Sequence, residues 1–138
     1  MVESKDCIFC KIIKGEVHSL KIYEDEKVLA FLDISPINAG HTLIIPKEHF
    51  DAFSDLPDKI ASNLMVEVKN LAPKIIKAVG AEAFNVGINN GKIAGQIIPH
   101  AHVHIIPRFS KDGLKHWQGR KYEPEVMQAL ADKIKKAL

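Results

Sequence analysis

Three of the chain's seven histidines fall at alternate positions, in Pro99-His100-Ala101-His102-Val103-His104-Ile105-Ile106-Pro107. Imidazole has an ordinary pKa of about 6.5, so at neutral pH it is mostly the free base and can act as a nucleophile. Alternation with Ala, Val and Ile reads as a β-strand, whose side chains at i, i+2 and i+4 leave by one face. The outer two Cα atoms of such a row lie about 13 Å apart, which is too long for one small ion to be held equally by all three. The spacing therefore points to three imidazoles with different tasks. Pro107 lacks an N–H and is expected to end the strand.

Cys7 and Cys10 form the second constellation. Two thiolates at C-x-x-C spacing can share one tetrahedral zinc with two further ligands, or can form a redox dithiol. No strand leads into Cys7 and no Trp-Cys context surrounds it, which favours the metal. Asn89-Asn90-Gly91, with Gly95 and Gln96 beyond it, is strong turn chemistry and taken alone is an ordinary turn. Asp33, before Ile34-Ser35-Pro36, taken alone is an acidic residue opening a turn.

Gly95-Gln96, then two apolar residues and Pro99, then His100-x-His102-x-His104-Ile105-Ile106-Pro107-Arg108, resembles the signature of the histidine triad (HIT) family of nucleotide hydrolases and transferases. Cys7-Ile8-Phe9-Cys10-Lys11-Ile12, Ala30-Phe31-Leu32-Asp33-Ile34-Ser35-Pro36 and His41-Thr42-Leu43-Ile44-Ile45-Pro46-Lys47-Glu48-His49 resemble the family's earlier motifs, in its order. The resemblance covers about residues 7–108. It implies that His102 is the nucleophile and that His104 contacts the phosphate or the departing atom. It also implies that Asn89, Gly95 and Gln96, with nearby backbone amides, hold the α-phosphate. Asp33 would accept the ribose hydroxyls, and Ile8, Phe9, Ile12, Phe31, Leu32 and Ile34 would line the slot for a purine-like base. Prokaryotic-type members would add His49 and His100 to the cysteine pair as zinc ligands, in a structural site with no open position. Where some eukaryotic branches carry a serine after Gly-Gln, this chain has Ile97, so a hydroxyl contact to phosphate is lost.

Positioning these groups requires a framework that the rest of the chain supplies. Residues 5–14 read as a short helix ended near Gly15. Lys21–Glu24 and Val28–Asp33 read as a hairpin turning at Asp25-Glu26-Lys27. Thr42–Ile45 is fully apolar, suits a central strand, and closes at Pro46. Ile60, Leu64, Val68, Leu71, Ile75 and Val79 step by four and three, giving a helix over 57–79 with Pro57 in its first turn and Gly80 as its stop. Pro73 is expected to kink or split it. Phe84–Ile88 and the histidine row follow as an antiparallel pair, and Val126, Leu130 and Ile134 mark a last helix over 124–137. The expected fold is α+β: a five-stranded, mainly antiparallel sheet with one long helix on a face and a C-terminal helix. The resemblance implies a homodimer that joins two sheets into one of ten strands.

At 138 residues the chain suits one domain, 1–138, with a core of about 5–108 and an extension over 109–138. A net charge of +2 is too small to argue for nucleic acid or an anionic membrane. No apolar run approaches a membrane span, the start has no signal-peptide pattern, and paired thiols suit a reducing compartment, so a cytoplasmic protein is expected. His18 and His116 are expected on the surface and His41 in a structural role. No catalytic cofactor is expected. Two other functional classes fit the same residues: a nucleotide-binding regulatory module with little turnover, and a zinc hydrolase whose metal is held by the triad.

Overall fold

The computed structural model describes residues 4–138. Its elements are α1 (Ile8–Ile13), β1 (Lys21–Glu24), β2 (Val28–Leu32), β3 (Thr42–Pro46), α2 (Asp58–Val79), β4 (Ala83–Gly87), β5 (Val103–Arg108) and α3 (Pro124–Ala137). The five strands form one sheet in the order β1-β2-β3-β5-β4. Every neighbouring pair is antiparallel. The apolar run of β3 is the central strand, as its composition predicts.

Alternation along the strands divides the core between two faces. Val28, Ala30, Ile44, Val103 and Ile105 meet Leu64, Val68 and Ala72 of α2. Leu29, Phe31, Leu43 and Ile45 point the other way, onto Phe9 and Ile12 of α1. The sheet is thus covered on both faces over its centre, by the long helix expected and by the short N-terminal helix. No described helix is long and apolar enough to cross a membrane.

Three proline and histidine expectations are corrected. Pro73 neither kinks α2 apart nor splits it: the helix runs unbroken for 22 residues to a left-handed Gly80 cap (φ 71°). Pro73 and Lys69 are both exposed, so the carbonyl that Pro73 leaves without a donor faces water. Pro107 lies inside β5, paired with Phe84. Its carbonyl points to the β3 side and accepts from Asn38 Nδ2 at 3.0 Å. There β3 has not yet begun, its first residue Thr42 lying opposite Ile105, so the missing N–H costs no ladder bond. Finally, the histidine row is only partly strand, because β5 begins at Val103. Continuing the register of β3 and β5 would set Ala101 against Pro46, which has no N–H to offer. The Pro46 carbonyl is instead taken by His100 Nε2 at 2.8 Å, and the Ala101 N–H turns to Phe50 O at 2.7 Å.

Candidate active site and metal centre

Leaving the ladder at residues 100–102 sends the three histidines to different partners. His100 is fully buried and faces the thiols of α1. Its Nδ1 lies 3.4 Å from Cys7 Sγ and 3.7 Å from Cys10 Sγ. Cys10 Sγ also lies 3.4 Å from His49 Nδ1. The ring nitrogens opposite are both fixed as donors. His100 Nε2–H gives its proton to the Pro46 carbonyl, and His49 Nε2–H gives one to Asp51 Oδ1 at 2.8 Å. Both Nδ1 atoms therefore carry lone pairs, and they face each other at 3.2 Å. Two lone pairs at that distance repel unless a cation lies between them.

The donor set fits a metal. All four ligand atoms lie within 4.8 Å of one another. Tetrahedral bonds of about 2.1 Å to nitrogen and 2.3 Å to sulfur place neighbouring donors roughly 3.3–3.8 Å apart. Burial raises the Cys7 thiol above its ordinary range and pulls His100 down to about 4. Both shifts express the cost of placing charge in this region without a compensating ion.

His102 takes a different role. Its Nδ1–H donates to the carbonyl of His100 at 2.6 Å. Neutral imidazole has one N–H, so the lone pair is on Nε2. Phe9 stands edge-on to the ring at 5.3 Å, with the planes at 90°. His104 packs on its other side at 4.9 Å between centroids. The imidazole is held between two rings with its basic nitrogen free.

His104 is reached from the β2–β3 loop. The Ile37 N–H donates to His41 Nδ1 at 3.0 Å, so the proton of His41 sits on Nε2. That proton is given to His104 Nδ1 at 2.9 Å, with Asp33 Oδ2 3.6 Å from His41 Nε2. By the same logic His104 carries its proton on Nε2, and this buried atom has no hydrogen-bond partner among the described residues. A buried N–H without a partner is a rare and costly feature. It suits a group that must donate to a ligand. Burial, with His102 and His41 close by, pulls His104 down to about 4, and burial also lowers His41. Both imidazoles are therefore neutral at physiological pH.

Asp33, His41 and His104 also come within metal-ligand spacing. The Ile37 N–H on Nδ1 of His41 leaves its Nε2 protonated, with no lone pair for an ion. This group is a hydrogen-bonded chain. Neither group of metal-ligand spacing contains His102, so the triad does not converge on one ion.

The remaining expected residues divide. Asn89 lines a cavity with His104, and its side chain lies against Gly95, where φ of 95° and the close approach both favour glycine. The Gln96 side chain is used within the protein. Its Oε1 accepts from Gly91 N at 3.0 Å, and its Nε2 donates to the carbonyls of Ile98 and Asp51. Asp33 Oδ1 accepts from Ser35 N at 2.8 Å, the turn bond expected of it. Phe9 and Ile12 of α1 and Phe31 of β2 are buried between α1 and the sheet, Leu32 is half-buried, and Ile8 and Ile34 are exposed. His18 and His116 are exposed, as expected. His41 is the functional neighbour that sequence reasoning assigned to structure alone. Its one sequence signal is a histidine opening the central strand.

A histidine with a free ring nitrogen, a buried imidazole N–H beside it and a thiol–imidazole cluster at the start of the same row match the arrangement that the sequence resemblance implies. The chain belongs to the HIT family, whose domain matches residues 14–111. It is 43% identical to the adenosine 5'-monophosphoramidase hnt1 of Schizosaccharomyces pombe, across 93% of this chain and 95% of that one. A crystal structure of a HIT family member from Bacillus subtilis superposes with a TM-score of 0.88 at 43% identity, covering 97% and 98% of the two chains. A zinc-bound histidine triad family protein from Mycobacterium smegmatis superposes with a TM-score of 0.77 at 32% identity, covering 99% and 100%. These similarities establish the family and support a nucleotide-directed hydrolase.

Proposed function

We propose that this chain hydrolyses or transfers nucleotides at the α-phosphate of nucleoside phosphoramidates or dinucleoside polyphosphates, through a nucleotidyl-histidine intermediate on His102. The observation that carries this reading is the pair of tautomers: a lone pair on His102 Nε2 and an unpartnered proton on the neighbouring His104 Nε2. His102 Nε2 attacks phosphorus, a P–N bond forms, and the bond to the leaving group breaks as the departing atom takes a proton from solvent. Water then attacks the same phosphorus and releases the imidazole. His104 gives a hydrogen bond to the phosphate as charge builds. Asn89 and the backbone around Gly95 cradle the same oxygens, while Gln96 holds that loop in shape. Asp33 receives the ribose, and Ile8, Phe9 and Ile34 face a purine.

Zinc suits the metal centre, held by Cys7, Cys10, His49 and His100. Bound there it would supply no reaction chemistry and would pin α1 to the segment that carries His102. The zinc bound by the Mycobacterium smegmatis relative supports this choice. We infer a homodimer built through β4, an edge strand whose Phe84 and Val86 are exposed. Reduced, metal-binding thiols suit the cytoplasm.

The test is turnover of adenosine 5'-phosphoramidate at catalytic protein concentration. The reading expects AMP release by the wild type and a fall of at least about 10³-fold in His102→Ala, since loss of a covalent nucleophile removes the pathway. Tight AMP binding without turnover would mark a binding module instead.

A further inference from the structure

Residues 90–97 form a loop with little packing of its own. Ile93 and Ile97 stand in solvent, and of the whole loop only Gln96 is even half-buried. Hydrogen bonds must therefore hold its shape. Among the described residues, two of them tie the loop to a distant part of the chain, and both end on the stretch that follows His49. Gln96 Nε2 donates to the Asp51 carbonyl, and the Phe53 N–H donates to Asn90 Oδ1 at 3.0 Å. A third bond joins the same two regions further along, from the Ala101 N–H to the Phe50 carbonyl at 2.7 Å.

Residues 49–52 belong to no helix or strand. Phe50 and Phe53 pack against the core shared by α2 and the sheet. Asp51 between them is exposed and serves two neighbours at once. Its Oδ1 accepts from His49 Nε2–H at 2.8 Å, the bond that leaves the His49 lone pair on Nδ1, facing Cys10 and His100. Its carbonyl accepts from Gln96. The side chain thus turns to the metal centre and the main chain to the phosphate loop. A carboxylate on the outer nitrogen of a metal-binding histidine fixes the ring and makes it more basic. Outside any helix or strand, the same bond also fixes the acidic residue, and with it the direction of its carbonyl. Without an ion between them, the Nδ1 lone pairs of His49 and His100 repel across 3.2 Å. A shift of either ring is passed across the seam, from His49 through Asp51 and from His100 through Ala101.

We propose that Asp51 is a positioning residue shared by the metal centre and the phosphate loop: its carboxylate aims His49 at the metal while its carbonyl holds Gln96, so that zinc and a nucleotide phosphate each strengthen the other's site. The phosphate half of this rests on the reading of Asn89, Gly95 and Gln96 as the α-phosphate cradle. The coupling is reciprocal, because the factor by which zinc tightens nucleotide is the factor by which nucleotide tightens zinc. It is therefore read at equilibrium, without turnover.

The experiment measures zinc affinity of the full chain by competition with a chromophoric chelator, with and without saturating AMP, in wild type, Asp51→Ala, Asp51→Asn and Asn90→Ala. AMP should tighten zinc about fivefold in the wild type. Asp51→Ala should weaken zinc by about 10- to 100-fold and reduce the AMP effect below about twofold. Asp51→Asn keeps an acceptor oxygen and should restore most of both. Asn90→Ala cuts the bond from Phe53 and leaves the metal ligands alone. Its zinc affinity without AMP should stay within about twofold of the wild type, while its AMP effect shrinks. Amide hydrogen exchange on the zinc-loaded proteins gives a reading free of nucleotide. Residues 90–98 should exchange faster in Asp51→Ala than in the wild type, with α2 unchanged. A chain that takes up no zinc, a wild type without an AMP effect, or a loop whose exchange is unchanged in Asp51→Ala would overturn the proposal. An AMP effect that persists undiminished in Asp51→Ala and Asn90→Ala would also overturn it, and would route the coupling through α1. If AMP does not bind at all, the nucleotide reading fails, and hydrogen exchange still decides whether Asp51 holds the loop.

Discussion

At the scale of residues, chemistry depends on which nitrogen of each imidazole holds its proton. None of the four assignments is made by a neighbouring charge alone. The His100 carbonyl sets His102, the Ile37 amide sets His41, His41 sets His104, and the Pro46 carbonyl sets His100. These are backbone groups or other imidazoles, so the tautomers follow from the fold. Acid should expose this dependence. His104 is held neutral, with its pKa drawn from an ordinary value near 6.5 to about 4, and His41 is lowered in the same direction. The unfolded chain therefore binds more protons between these values, and the folded state loses stability as pH falls from about 6.5 to about 4. Denaturant titrations at pH 7 and pH 4.5 should show a lower midpoint at the acidic value. His104→Phe should lessen the difference.

At the scale of elements, α1 is six residues long and too short to persist alone. Packing of Phe9 and Ile12 holds it to the sheet, and the Cys and His cluster ties its first turn to the segment around His49 and to His100. Removal of the metal should thus loosen α1 and the base of the histidine row together. We expect one zinc per chain by elemental analysis, a Tm lower by several degrees after chelation, and activity that declines with the fold and not at once. Cys10→Ala should reproduce the loss of zinc. The periodic elements were the legible part of the sequence. The span of α2 followed from six apolar residues on one helical face, and α3 from three. The C-x-x-C pair, the triad and the Asn-Gly loop were visible because their chemistry sits in adjacent residues. His41 and Asn38 were not, because their roles arise from register and loop contacts between segments more than about 60 residues apart. The same holds for Pro107, whose place inside β5 depends on β3 starting only at Thr42, opposite Ile105. His49 and His100 as metal partners came from family resemblance. Only the fold shows that their remaining nitrogens are already committed.

At the scale of the molecule, two elements among the described residues present rows of exposed apolar side chains. Phe84 and Val86 stand on the edge strand β4, and α3 exposes Val126, Met127, Leu130 and Ile134 along one side. An exposed edge strand invites pairing, and a 14-residue helix with an uncovered apolar face gains little stability from itself. The proposed association of two copies through β4 would cover the first. Light scattering should give twice the mass of the 15.4 kDa chain, and Phe84→Glu should shift it toward the monomer. A monomeric wild type at micromolar concentration would remove the ten-stranded sheet from the account.

The central claim is that the lone pair on His102 Nε2 makes a covalent bond to phosphorus. The direct measurement is intact-protein mass after brief mixing with adenosine 5'-phosphoramidate and a denaturing quench that preserves the acid-labile P–N bond. The account predicts an adenylylated species in the wild type that is absent from His102→Ala and that decays as AMP appears. Turnover with no adduct at any mixing time, lost at once on chelation, would contradict it and move the attacking group from the imidazole to a metal-bound water.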